Sequence, residues 1–243
     1  MCAAPVAVLA STSLRGRRAI RRSPGRVPRR WLWLLVAGAA LAASPVAVSA
    51  ASTSPDEARF REMAWAGNWE GLKPLGPAVL PRLVRLYGTS SETQRARIAL
   101  VFYSLGWKSD EARRVLMKDV HTANEDLRLQ VQWALGRVSD DPEVVDVLLA
   151  NLQNDANPLF RDKAACALAY DQIHLTEEQK VRVYEGLIQA LANPEPQVRA
   201  VSIQALSILT GQTKGFHHLY PEERRERSIA LWQKWLEDYR ASL

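Results

Sequence analysis

Asn193-Pro194-Glu195-Pro196-Gln197-Val198-Arg199-Ala200-Val201-Ser202-Ile203-Gln204-Ala205-Leu206 is the stretch from which the rest of the chain is read. A polar Asn/Pro turn opens it. An apolar residue and an arginine follow, and then small and apolar residues at helical spacing. The same phrase recurs upstream in Asn124 to Gly136 (NEDLRLQVQWALG) and in Asn157 to Ala169 (NPLFRDKAACALA). Repetition of one turn-plus-helix phrase describes a stack of similar helical hairpins.

Counting sets the register. With Leu127, Phe160 and Val198 at position zero, positions four, seven and eight are Val131, Ala134 and Leu135 in the first copy. They are Ala164, Ala167 and Leu168 in the second, and Ser202, Ala205 and Leu206 in the third. Position eleven is Val138 and Leu209, but Asp171 breaks the rule. These offsets mark one face of an α-helix. The residue after position zero is Arg128, Arg161 and Arg199 in turn, at spacings of 33 and 38 residues. A two-helix unit of that length means a solenoid. An earlier hairpin fits with a one-residue slip, through Arg97, Ile98, Val101 and Leu105.

Outward from these copies, the pattern predicts four hairpins. The first pairs residues 77–87, stopped by Gly88, with a helix capped by Ser90 or Ser91 and ending at Leu105-Gly106. The others pair 110–120 with 124–138, 142–152 with 158–170, and 177–192 with 197–210. No segment alternates with period two, so the expected fold class is all-α. The open end of a solenoid exposes apolar surface unless capped. Residues 55–72, with a break at Gly67-Asn68, read as the N-terminal capping helix. Residues 212–243 read as a C-terminal loop and capping helix, in which Ile229, Trp232 and Leu236 share a face beside Trp235 and Tyr239.

These residues resemble HEAT repeats, particularly the short bacterial type with an xVRxxAxxAL second helix that is also found in phycobilisome-lyase-like proteins. The resemblance covers roughly residues 73–211. The tail, Leu209-Thr210-Gly211-Gln212 followed by Pro221-Glu222-Glu223-Arg224 and a helix with Trp232 and Trp235, is similar to the closing segment of exported bacterial HEAT proteins. The resemblance implies an α-solenoid of about four HEAT-like hairpins between terminal caps, second helices along a concave face, and a tendency to bind proteins. It implies no reaction.

The first fifty residues stand apart. They hold eight arginines and no acidic residue, so the formal charge of +6 belongs to them. The remaining chain carries 24 basic against 26 acidic residues, which removes the basis for a nucleic-acid reading. A basic region ending at Arg29-Arg30, an apolar run from Trp31, and Val48-Ser49-Ala50 are the parts of a secretory signal peptide cleaved after Ala50. The competing reading is an uncleaved inner-membrane anchor over residues 31–51. Either way the chain is expected to be exported, as a periplasmic or secreted protein if cleaved. Cleavage would remove Cys2 and leave Cys166 as the one cysteine of the mature chain. Such a chain is held by its core rather than by a disulfide.

Candidate chemistry is sparse. His217-His218, near Tyr220, Glu222 and Glu223, lacks the second His/Cys cluster that a zinc site needs. His121 and His174 fall between helices. Cys166 sits among alanines with no base brought near by the pattern. The acidic pairs at 140–141, 177–178 and 222–223 stand at helix starts, where the helix dipole accounts for them. No metal or other cofactor is expected.

One stripe is richer. Positions three, six and ten of the second helices include Gln130, Trp133 and Arg137, then Lys163, Cys166 and Tyr170, with Tyr103 and Trp107 as approximate equivalents in the first hairpin. Trp, Tyr and Arg are what a protein-binding groove contains, although stacking between repeats uses them too. The expected partner-binding residues are Tyr103, Gln130, Trp133, Arg137 and Tyr170. The function that follows is a non-catalytic scaffold or adaptor of the bacterial cell envelope, binding a protein or peptide partner in a helical-repeat groove. The alternative is a lyase-like enzyme of the phycobilisome-lyase type. Nucleic acid is not an expected partner, and a membrane is one only if residues 31–51 stay attached.

Overall fold

The computed structural model describes residues 54–243; the leader, the cut after Ala50 and the candidate anchor lie outside the described residues. The helices are α1 (Pro55–Trp65), α2 (Trp69–Leu72), α3 (Leu80–Thr89), α4 (Glu92–Leu105), α5 (Asp110–Met117) and α6 (Glu125–Val138). They continue with α7 (Pro142–Asn154), α8 (Pro158–Tyr170), α9 (Glu177–Ala190), α10 (Pro196–Thr210) and α11 (Glu222–Ala241). Two 3-10 turns, Lys73–Leu75 and Pro77–Val79, join α2 to α3, and no strand occurs among the described residues.

Local chemistry starts and stops these helices. Ser91 opens α4 in a capping box with Gln94, and Thr176 opens α9 in another with Gln179. The Asn124 side chain accepts from the Leu127 N–H at the start of α6, and Asn157 does the same for Leu159 at the start of α8. Gly106 and Gly211, both in the left-handed region, close α4 and α10. Gly88 does not stop its helix: α3 runs on to Thr89. A Cβ at Gly88 would meet nothing, and one glycine costs too little to end a helix anchored by Leu83, Leu86 and Tyr87. Helix α5 ends at Met117, three residues earlier than the sequence suggests, because residues 118–121 turn to bury Asp119 and Val120.

The helices form two layers. Helix α4 packs on α6, α6 on α8 and α8 on α10. In the other layer α3 packs on α5, α7 on α9, and α9 on α11. The two ends are closed differently. Helix α1 packs against α4, in the layer of second helices. Helix α11 packs against α9, in the layer of first helices, so each terminus adds half a hairpin. Trp232 of α11 is fully buried and donates from its indole nitrogen to the Thr213 carbonyl, 3.3 Å away. Phe216 in the preceding loop is buried as well, covering the end of the stack.

The counted register describes the core. Val131, Ala134, Leu135, Ala164, Ala167, Leu168, Ser202, Ala205 and Leu206 are all buried. Ser202 is accommodated because its hydroxyl donates to the Val198 carbonyl at 2.8 Å. The slip assumed for the first hairpin is corrected. With Gln94 at position zero, Ile98, Val101, Phe102 and Leu105 fall at positions four, seven, eight and eleven, and all are buried. The arginine at position one is then Arg95, not Arg97, which is exposed. A polar residue at position zero hid the match.

Candidate functional site

The expected stripe divides when folded. Trp133 is 9% exposed, with its ring centroid 6.5 Å from that of Tyr103 on the neighbouring second helix. The Arg137 guanidinium lies 4.6 Å from the Tyr103 ring centroid. These three side chains fill the seam between α4 and α6. Gln130 is half-buried beside them, and its side-chain oxygen has no partner. Tyr170, by contrast, is 51% exposed at the end of α8. It stands on the rim of a cleft of about 180 Å³ lined by Leu168, Ala169, Gln172, Val183, Tyr184 and Leu209, with Lys180 at its edge. Ile173, three residues on, is exposed too.

Asp171 occupies the core position that breaks the repeat pattern, and it is buried. Burial pushes its carboxyl up to about 6, against the opposing pull of the Arg137 guanidinium. Arg137 Nη1 lies 3.5 Å from Asp171 Oδ1. Burial also raises the Tyr103 hydroxyl, with the Asp171 charge adding to it. Just beyond, His174 Nε2 lies 2.9 Å from the Arg137 carbonyl and 3.1 Å from that of Gly106. One nitrogen facing two acceptors must carry a hydrogen, which sets the tautomer. The loop after α8 thus reaches back over the C-terminal ends of both α6 and α4. Gly136 permits this approach, since a Cβ there would stand 2.8 Å from the Asp171 carbonyl oxygen. Tyr103, Arg137, Asp171 and His174 therefore converge as a clasp whose polar atoms face one another and the main chain.

The arginines at position one are structural in every hairpin. Arg95 donates to both oxygens of Asp119, at 2.9 and 3.0 Å, and the Tyr87 hydroxyl donates to the same carboxylate at 2.6 Å. Arg128 pairs with Asp155 and lies over the Phe160 ring. Arg161 reaches the Asp155 carbonyl and Gln197. Arg199 donates to the carbonyls of Asn193, Pro194 and His218. Each of the four reaches the following unit or the C-terminal loop, and Arg161 and Arg199 also bond the turn of their own hairpin.

His217 and His218 stack at 4.6 Å, and His217 Nδ1 accepts from the Leu219 N–H. Burial first, then the charges of His217 and Arg199, lower the His218 imidazole below its usual range. Among the described residues no group of three or more His, Cys, Asp or Glu is arranged to hold a metal. Cys166 is buried among Ala164, Ala165 and Ala167. No described helix is long and apolar enough to cross a membrane.

Paired helices, an invariant position-one arginine and a common core face are the marks of one repeat family, and residues 81–169 match its model, described as HEAT repeats. Residues 81–169 are HEAT repeats. No curated protein matches it. HEAT repeats generally mediate protein–protein interaction, and the HEAT family is typically non-catalytic. Counting overlooked two features of this stack. Asp171 was visible only as a fault in the register, which was the available signal for a buried polar site. His174 left no signal, because its acceptors are main-chain atoms 37 and 68 residues away.

Proposed function

We propose that this protein is a non-catalytic scaffold of the bacterial cell envelope that holds a protein or peptide partner along its second-helix layer. The carrying observation is Tyr170, a large aromatic half-exposed at the end of α8, on the rim of a cleft between α8, α9 and α10. Aromatic side chains beside desolvated pockets are where interfaces concentrate their binding energy. Gln130, Trp133, Arg137 and Tyr103 then form the floor of the groove, and Tyr170 with Ile173 forms its accessible end. Export, as a periplasmic or secreted protein or one anchored by residues 31–51, belongs to the same proposal and rests on the leader.

A photoreactive amino acid placed at position 170 tests the reading, with position 231 as the control. Leu231 is 54% exposed, but on α11 in the other layer. Crosslinking in envelope fractions should yield a discrete adduct from position 170 and none from position 231. Equal labelling from both positions, or none from 170, would remove the groove.

A further inference from the structure

At the N-terminal end of the stack, a cleft of about 240 Å³ opens between α1 and α3, lined by Glu57, Arg61, Arg82, Arg85, Leu86 and Thr89. Glu57 organises it. Its carboxylate receives Arg82 Nη2 at 2.7 Å and Arg61 Nε at 3.3 Å. The Arg82 hydrogen bond, followed by that of Arg61, holds this carboxyl below the usual glutamate range. The Arg82 guanidinium also lies 3.9 Å from the Phe60 ring centroid, which keeps it flat against α1. Arg85 is exposed, and its guanidinium makes no ion pair or hydrogen bond to any described residue. Three guanidinium groups therefore face one carboxylate, and the cleft carries a net charge of +2.

The wider charge distribution reinforces this. Residues 54–100 hold seven basic and five acidic residues, whereas residues 101–243 hold 17 and 21. The N-terminal end of an otherwise acidic stack is thus its positive pole. Guanidinium groups present planar, paired donors that match oxyanions. Because the arrangement is recessed and its one aliphatic wall, Leu86, is buried, it has nothing to insert into a bilayer.

We propose that this cleft is a binding site for carboxylates, taking up an acidic segment of the protein partner. The identity of that ligand as part of a partner rests on the scaffold reading above. The carboxylate site itself does not. Arg61 and Arg82 are held in place by Glu57 and Phe60, and Arg85 supplies the uncompensated charge. An acidic strand entering here meets donors already oriented, which lowers the ordering cost of binding.

The test is fluorescence anisotropy of a fluorescein-labelled oligoglutamate peptide with the full chain, at low and at physiological ionic strength. Arg85→Glu brings the cleft to neutrality without breaking any internal contact. Arg227→Glu makes the same charge change on exposed α11, at the far end of the stack. Arg85→Glu should weaken binding about tenfold at low salt and flatten its salt dependence, while Arg227→Glu should stay within about twofold. The leader's arginines are common to all three proteins and cancel in the comparison. Equal losses in the two variants would mean that only overall charge is sensed, and would overturn the site. So would an Arg85→Glu protein that binds like the wild type. Peptide binding insensitive to Arg85, combined with Arg85-dependent binding to vesicles of anionic lipid, would overturn it in favour of a membrane surface. Failed crosslinking from position 170 with an intact Arg85 effect would count against the scaffold and leave the carboxylate site standing.

Discussion

Trp133→Ala separates the two roles that this residue can have in the stack. Its side chain is 9% exposed and packs against Tyr103 on the preceding second helix. Truncation removes nearly all of a buried indole and leaves a cavity in the seam between α4 and α6. Buried Trp→Ala changes cost about 3–5 kcal/mol, with loss of an aromatic pair included in that range. For a domain of this size, each kcal/mol lowers the melting temperature by about 2–4 °C, so a fall of about 6–20 °C is expected. Circular dichroism at the helical band would follow the melt, and crosslinking from position 170 would report binding at a temperature where the variant is still folded. The packing argument requires the melting temperature to fall and crosslinking to persist. A shift under about 2 °C accompanied by loss of the crosslink would refute it, and would show that Trp133 contacts the partner rather than the neighbouring repeat.

Two further outcomes follow from buried charges. Asp119 is 8% exposed and receives hydrogen bonds from both Arg95 and Tyr87. Asp119→Ala strands both donors and should cost about 3–5 kcal/mol in urea denaturation, whereas Asp119→Asn, which keeps an acceptor for Tyr87, should cost clearly less; equal costs would contradict the shared-acceptor geometry. Asp171 titrates near 6 in the folded chain, against an ordinary value of 3.8. A raised folded value means that protonation favours the folded state. This contribution is fully present below about pH 4 and is lost as the pH rises through about 6. Asp171→Asn should therefore gain on the wild type by on the order of 1–3 kcal/mol between pH 4 and pH 7, and a constant difference across that window would show that Asp171 is not buried as a charge.

The amino-acid sequence by itself determined the all-α class, the hairpin pairing and the core face. Helical packing is periodic, and Val131, Ala134 and Leu135 announce their burial through spacing alone. Caps were legible for the same local reason, since Ser91 and Asn124 act on backbone groups within three residues. Arg128, Arg161 and Arg199 were legible as a column. Which partners the position-one arginines take was decided in space: Asp119, Asp155, the Gln197 side chain and the His218 carbonyl have no common spacing from their arginines. The division of the expected groove into a buried seam at Trp133 and an exposed rim at Tyr170 was likewise tertiary. Both lie on the same helical stripe, and only the neighbouring Tyr103 and Arg137 close one of them. Periodicity tells which way a side chain points from its own helix, but its exposure depends on what the next helix and the returning loop place in front of it.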